Sequence, residues 1–196
     1  MIVQLGAWAM REACREALTW PATCRVAVNV SSIQFKNGNL LATVRSILAE
    51  TGLPAERLEL EITESTLLQE NDATLRTLSE LRRLGIKIAL DDFGTGYSSL
   101  AYLRTIPLTG IKIDRSFIKD LSTTAEAKVI IKSITEIAET LGMTTTAEGV
   151  ETEAQLAIVR ALGCRAAQGF LFSKPVPAEE VPGLLQGSPI RRHLAA

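Results

Sequence analysis

The sequence predicts an α/β fold, a TIM-like (β/α) barrel that is incomplete, with about six βα units preceded by a helix. Three observations predict it. Helical and extended apolar periods alternate along the chain with short connections, the pattern of parallel strands wrapped by helices. Asn29, Glu61, Asp91, Lys112, Glu148 and Gln168 each fall at or near the C-terminal end of a different predicted strand. In a (β/α) barrel those ends meet on one face, whereas an open doubly wound sheet gathers its chemistry at one switch point. Side-chain parity agrees. Val26, Val28 and Val30 oppose Ala27 and Asn29; Leu58, Leu60 and Ile62 oppose Glu59, Glu61 and Thr63; Ile111 and Ile113 oppose Lys112 and Asp114. Strands covered on both faces read as unbroken apolar runs, so polar positions that cluster this way mark a site.

Residues 2–18 read as a helix with Leu5, Trp8, Ala9 and Ala13 on one face, ended by Trp20-Pro21. A strand follows at 25–30, then a helix at 40–50 stopped by Gly52 and Pro54. Residues 58–63 form a strand and 72–84 a helix closed by Gly85. The strand at 86–91 leads to a short helix capped by Ser98 and running to Arg104. Then come a strand at 110–114, a long helix at 124–141 closed by Gly142, and a strand at 144–148. A helix at 152–162 closed by Gly163, a strand at 166–170 and a final helix at 178–185 complete the domain, taken as 1–187, ahead of a polar tail at 188–196. Eight parallel strands close such a barrel and six do not, so two βα units are expected upstream of Met1.

A hydrophobic fraction of 46% over 196 residues is enough for one substantial core. Lys plus Arg number 21 against 22 Asp plus Glu, a balance that disfavours polymeric nucleic acid and leaves a small anionic ligand open. Cys14, Cys24 and Cys164 have neither paired spacing nor an even count, which suggests buried thiols in a reducing, cytoplasmic setting. No run approaches the ~20 apolar residues of a membrane span. The lone His193 reads as a solvated tail residue.

In LDDFGTGYSS, two aspartates stand together at the end of an apolar strand. Adjacent acids repel, and Glu61 and Glu148 are expected on the same rim. With Asn29 they make an all-oxygen donor set with no His or Cys, which suits Mg²⁺ or Mn²⁺. Two such ions ~3.5–4 Å apart are a common device for phosphodiester hydrolysis. Lys112 would orient water or phosphate, and Asp114 would fix the Lys112 ammonium. Each residue taken singly has a blander reading: Asp92 as a turn acid, Glu64 as a solvated loop acid, Lys112 as a solvated strand residue. Six at successive strand ends argue for the set.

The stretches VAVNVSS, LELEITES, LDDFGTGYSSL, IKIDRSFI, TAEGVET and CRAAQGFLFSKP resemble the EAL family of cyclic-di-GMP phosphodiesterases over residues 2–177. The resemblance implies hydrolysis of cyclic-di-GMP to linear pGpG on a modified (β/α)₈ barrel. It implies Asn29, Glu61 and Asp91 as ligands of one metal and Asp91, Asp92 and Glu148 as ligands of the other. It gives Lys112 the nucleophilic water, with Asp114 beside it, and Glu64 the support of the loop after Asp91; Glu151 and Gln168 match further active-site positions. It also implies a homodimer near residues 93–99 and fusion to, or regulation by, other signalling domains. The family's defining Glu-Ala-Leu lies on an earlier strand. The literal Glu16-Ala17-Leu18 falls at the end of the first predicted helix, roughly 15–20 Å from Asn29 at ~3.3 Å per strand residue. The expectation is therefore a domain lacking one ligand, with reduced activity. The competing expectation is a non-catalytic cyclic-di-GMP-binding or protein-interaction module.

Overall fold

The computed structural model describes residues 1–36, 39–67, 72–94, 100–122 and 124–187. Six strands form one sheet in the order β1-β2-β3-β4-β5-β6, interleaved with helices and preceded by one. The β1/β2, β4/β5 and β5/β6 pairs are parallel. This is the order that successive βα units produce, and the expected fold class, an incomplete TIM-like barrel, is the one observed. The chain divides into two compact units, Met1–Leu90 with Gly96–Leu108, and Asp91–Thr95 with Thr109–Ala196.

The first unit opens with α1, Ile2–Ala17, which buries Met10, Cys14 and Ala17 at i, i+4 and i+7. The face that carries Leu5 and Trp8 is not the buried one: both residues are more than half exposed. α1 thus carries apolar residues on two sides. α1 packs on β1 (Val26–Asn29) and on α3 (Leu40–Thr51). Glu50 of α3 takes Arg11 at 2.8 Å and Arg15 at 2.6 Å, contacts that hold its carboxyl below the usual range. A short α2, Ser32–Lys36, precedes α3, and Gly52 ends α3 in a left-handed conformation.

Arg57 is buried in the turn before β2, Leu58–Thr63. Its guanidinium donates to the carbonyls of Ala17 at 2.6 Å, Cys24 at 2.8 Å and Pro21 at 3.3 Å, so one side chain caps the end of α1 and fastens the approach to β1. β1 and β2 then run in register from Val26 opposite Leu58 to Asn29 opposite Glu61. α4 (Glu64–Leu67), α5 (Asp72–Arg83) and α6 (Leu100–Thr105) follow. Leu58, Leu60, Ile62, Leu78, Leu81, Ile86 and Ile88 are nearly fully buried; each contributes about 1.5–3 kcal/mol.

β3, Lys87–Phe93, extends two residues past the expected end and carries Asp91 and Asp92 into the second unit. There β4 (Gly110–Ile113) pairs with β5 (Thr144–Ala147), Lys112 opposite Thr146. α7 (Arg115–Lys119), which the periodicity did not reveal, leads to α8, Ala125–Thr140. α8 buries Ala127, Ile131, Ile134 and Ala138 against these strands. Thr152 and Gln155 form a reciprocal capping box at the start of α9, Glu153–Ala161.

β6 is only Ala166–Ala167, shorter than the expected 166–170. The chain leaves the ladder because the Gln168 carbonyl accepts from Val150 N–H at 3.0 Å and the Val150 carbonyl accepts from Leu171 N–H at 3.0 Å. α10, Val181–Gly187, ends the described part; the tail at 188–196 and the proposed Ser98 cap lie outside it. Cys14 and Cys164 are buried as expected, but Cys24 is only half-buried. Among the described residues, no helix is long and apolar enough to cross a membrane.

Candidate metal centre

The end of β3, β4 and the residue after β5, all within the second unit, deliver the cluster. Asp91 and Asp92 sit near the end of β3, Lys112 is third in β4, and Glu148 follows β5, its N–H donating to the Ile113 carbonyl at 3.1 Å. In a regular strand, neighbouring side chains point to opposite faces, which would separate the two aspartates. Asp92 breaks the alternation. Its φ of 53° is left-handed, a conformation that Asp tolerates better than most residues at a cost of about 1–2 kcal/mol. The result is convergence: Asp91, Asp92 and Glu148 each offer an oxygen, all within 4.8 Å of one another.

Lys112 is buried among them, its Nζ 2.9 Å from Asp91 Oδ1 and 2.7 Å from Glu148 Oε1. The contact with Asp91 is an ion pair by distance only; Oδ1 is buried and accepts no aligned hydrogen bond. Burial raises the Asp92 carboxyl above the usual range, helped by repulsion from Asp91 and Asp114. Burial also raises Glu148, and the Lys112 contact offsets that only in part.

One ammonium thus faces three carboxylates. The donors are all hard oxygens, one buried oxygen lacks a hydrogen bond, and two acids are strained toward protonation. A divalent, oxygen-seeking cation answers each of these, so the residues fit one.

Residues 1–175 match the EAL domain family. The chain belongs to that family. Over 185 residues it is 43% identical to the bifunctional diguanylate cyclase/cyclic di-GMP phosphodiesterase MucR of Pseudomonas aeruginosa, covering 92% of this chain and 27% of that protein. Among solved structures, the PaMucR phosphodiesterase in complex with c-di-GMP matches at a TM-score of 0.87 and 43% identity, covering 92% of this chain and 74% of that one. Klebsiella pneumoniae BlrP1, solved with manganese and cy-diGMP, matches at a TM-score of 0.76 and 30% identity, covering 88% and 45%. The chain spans about a quarter of the length of the curated relatives it matches, 22% and 27% of the first two.

This EAL domain places its other expected site residues variously. Asn29 and Glu61 stand opposite each other at the ends of β1 and β2, Asn29 exposed and Glu61 buried. Glu64 is buried at the start of α4, so its reading as a solvated loop acid does not hold. Asp114, expected to hold the Lys112 ammonium, instead caps α7: its Oδ1 accepts from Ser116 N–H at 2.9 Å and Ser116 Oγ at 2.5 Å. Burial pushes Asp114 up, but these bonds outweigh it and hold the carboxyl below its usual range. Glu151 is exposed, its N–H donating to Gln155 Oε1 at 2.8 Å. Gln168 lines a cavity of about 510 Å³ with Leu156, Val159 and Phe172. Arg115, which the sequence reading did not single out, directly follows the Lys-x-Asp motif and begins α7.

Proposed function

We propose that this EAL domain carries cyclic-di-GMP phosphodiesterase chemistry, opening the cyclic dinucleotide to linear pGpG with Mg²⁺ or Mn²⁺. The convergence of Asp91, Asp92 and Glu148 around Lys112 carries the reading. Asp91, Asp92 and Glu148 would hold one ion, and Asn29, Glu61 and Asp91 the other. Bound there, the ions would supply a nucleophile at neutral pH and neutralise charge on the phosphoryl oxygens. Lys112, fixed by two acids, holds its ammonium where it orients an attacking water and limits repulsion of the phosphodiester. Asp114 sets the turn after Lys112, and the buried Glu64 supports the loop beyond β2. Catalysis in the cytoplasm, pairing through residues 93–99, and control by attached signalling domains belong to the same proposal; most of 93–99 lies outside the described residues.

A second reading, a non-catalytic cyclic-di-GMP-binding module, draws on the position of Glu16-Ala17-Leu18. Glu16 is in the last turn of α1, ten residues before β1 begins at Val26, and so does not reach the end of β1 where Asn29 stands. Incubation of cyclic-di-GMP with Mn²⁺ and either this chain or an upstream-extended version separates the two. Formation of pGpG that Asp91→Asn abolishes supports the enzyme. Saturable binding without turnover in both proteins selects the module.

A further inference from the structure

We propose that Arg115 is a phosphate-contacting residue of this site, its guanidinium taking a non-bridging oxygen of the phosphodiester. This rests on the phosphodiesterase reading above and adds a role that neither the acids nor Lys112 can fill. A dinucleotide phosphate approaching three carboxylates is repelled unless cations meet it. Lys112 is buried and committed to Asp91 and Glu148. Arg115 is exposed, and among the described residues its guanidinium forms no ion pair or hydrogen bond.

Its place beside the cluster is fixed by backbone. Arg115 is the first residue of α7, directly after the capping Asp114. Behind it lies Gly149, the residue after Glu148, with φ of 69°. A Cβ at 149 would stand 2.5 Å from the Arg115 Cβ. Glycine at 149 therefore lets the segment carrying Glu148 press against the root of the arginine. Its backbone N–H bonds the Asp114 carboxyl, while among the described residues the guanidinium donors stay available. Its planar fork matches two oxygens of a phosphate, a geometry that lysine cannot reproduce.

The test is calorimetric titration of cyclic-di-GMP, and separately of Mn²⁺, into a Lys112→Ala background that slows turnover, with and without Arg115→Ala, Arg115→Gln or Arg115→Lys. Loss of a charge-assisted bond predicts about 10–100-fold weaker cyclic-di-GMP binding for Ala and Gln, with partial recovery in Lys. Mn²⁺ affinity and melting temperature stay at the background values. In the otherwise wild-type protein the same changes raise KM more than they lower kcat. Unchanged dinucleotide affinity overturns the assignment, as does a parallel loss of Mn²⁺ affinity, which marks a merely structural residue. Protein with Lys112 intact that binds Mn²⁺ but neither binds nor turns over cyclic-di-GMP overturns the phosphodiesterase reading itself, an outcome distinct from failure at Arg115 alone.

Discussion

The Lys112 ammonium lies 2.7 Å from Glu148 Oε1, between that acid and Asp91, on adjacent strands of one unit. Lys112→Met keeps the aliphatic stem and removes the charge, leaving the buried Asp91 and the half-buried Glu148 without their shared cation. Removing one partner of a buried ion pair costs about 3–5 kcal/mol, and partial solvation of Glu148 puts this site at the low end. Metal compensates, because it supplies the missing positive charge. Thermal unfolding of Lys112→Met is expected to show a lower midpoint without Mn²⁺ and a metal-induced rise at least as large as in wild type. Turnover of cyclic-di-GMP falls about 100-fold or more, in line with loss of a group that positions the reacting water. A variant that no longer responds to Mn²⁺ would show that Lys112 helps to hold the ion.

The acids make the opposite prediction. Ligand binding stabilises the folded state by mass action, about 2.7 kcal/mol at a concentration 100 times the Kd. Asp91→Asn and Asp92→Asn should abolish the Mn²⁺-induced rise in melting temperature. Asp92→Asn should still fold, because asparagine also tolerates the left-handed backbone at this position, whereas Asp92→Val adds about 1–2 kcal/mol of strain. Asp92 and Glu148 both titrate above the usual carboxylate range, so protons compete with metal at a higher pH than for ordinary acids. The Mn²⁺ response should fade as the pH falls into that raised range. Persistence of the full response at pH 4 would contradict the assigned ligands.

Much of this was legible because the chain is locally consistent. Alternating periods place every strand of the sheet, and polar residues at strand ends point to Asp91, Lys112 and Glu148. What the periodicity hid was set by single residues acting through the backbone. Parity would have put Asp91 and Asp92 on opposite faces, and only the positive φ of Asp92 unites them. Asp114 was expected beside Lys112, but a serine two positions on offered it a helix cap. α1 presents apolar residues on two sides, and its sequence does not say which side meets β1 and α3. Those choices are made by contacts distant in sequence, such as Arg57 reaching back to Ala17.

Gly169 shows the same dependence on one atom. A Cβ there would lie 2.2 Å from the Val150 carbonyl oxygen, backbone that cannot step aside without breaking its bond to Leu171. By contrast a Cβ at Gly142 meets nothing within 4 Å. Gly142→Ala should cost only about 1 kcal/mol for its left-handed backbone, while Gly169→Ala should exceed about 3 kcal/mol. Urea unfolding of the two variants side by side checks the ranking, and equal costs would mean that the turn after β6 yields more readily than its packing implies.

The thiols set the alkaline limit. Burial pushes Cys14 from 9.0 up to about 11, and burial likewise pushes Cys164 to about 11 despite its bond with Thr145. A folded-state pKa above the unfolded one means that the native state holds its proton longer. The stability this gives is fully present below about pH 9 and drains away as the pH climbs toward 11. At most roughly 2–3 kcal/mol per thiol is involved. Replacing both by Ala removes packing at every pH, so the informative quantity is the slope and not the offset. Between pH 9 and 11 the unfolding free energy of Cys14→Ala/Cys164→Ala should fall less steeply than that of wild type, with lysines and tyrosines common to both. The half-buried Cys24 should meanwhile be alkylated first under native conditions, well ahead of the two buried sulfurs. Parallel slopes, or equal alkylation rates at all three positions, would show that both thiols reach solvent without unfolding.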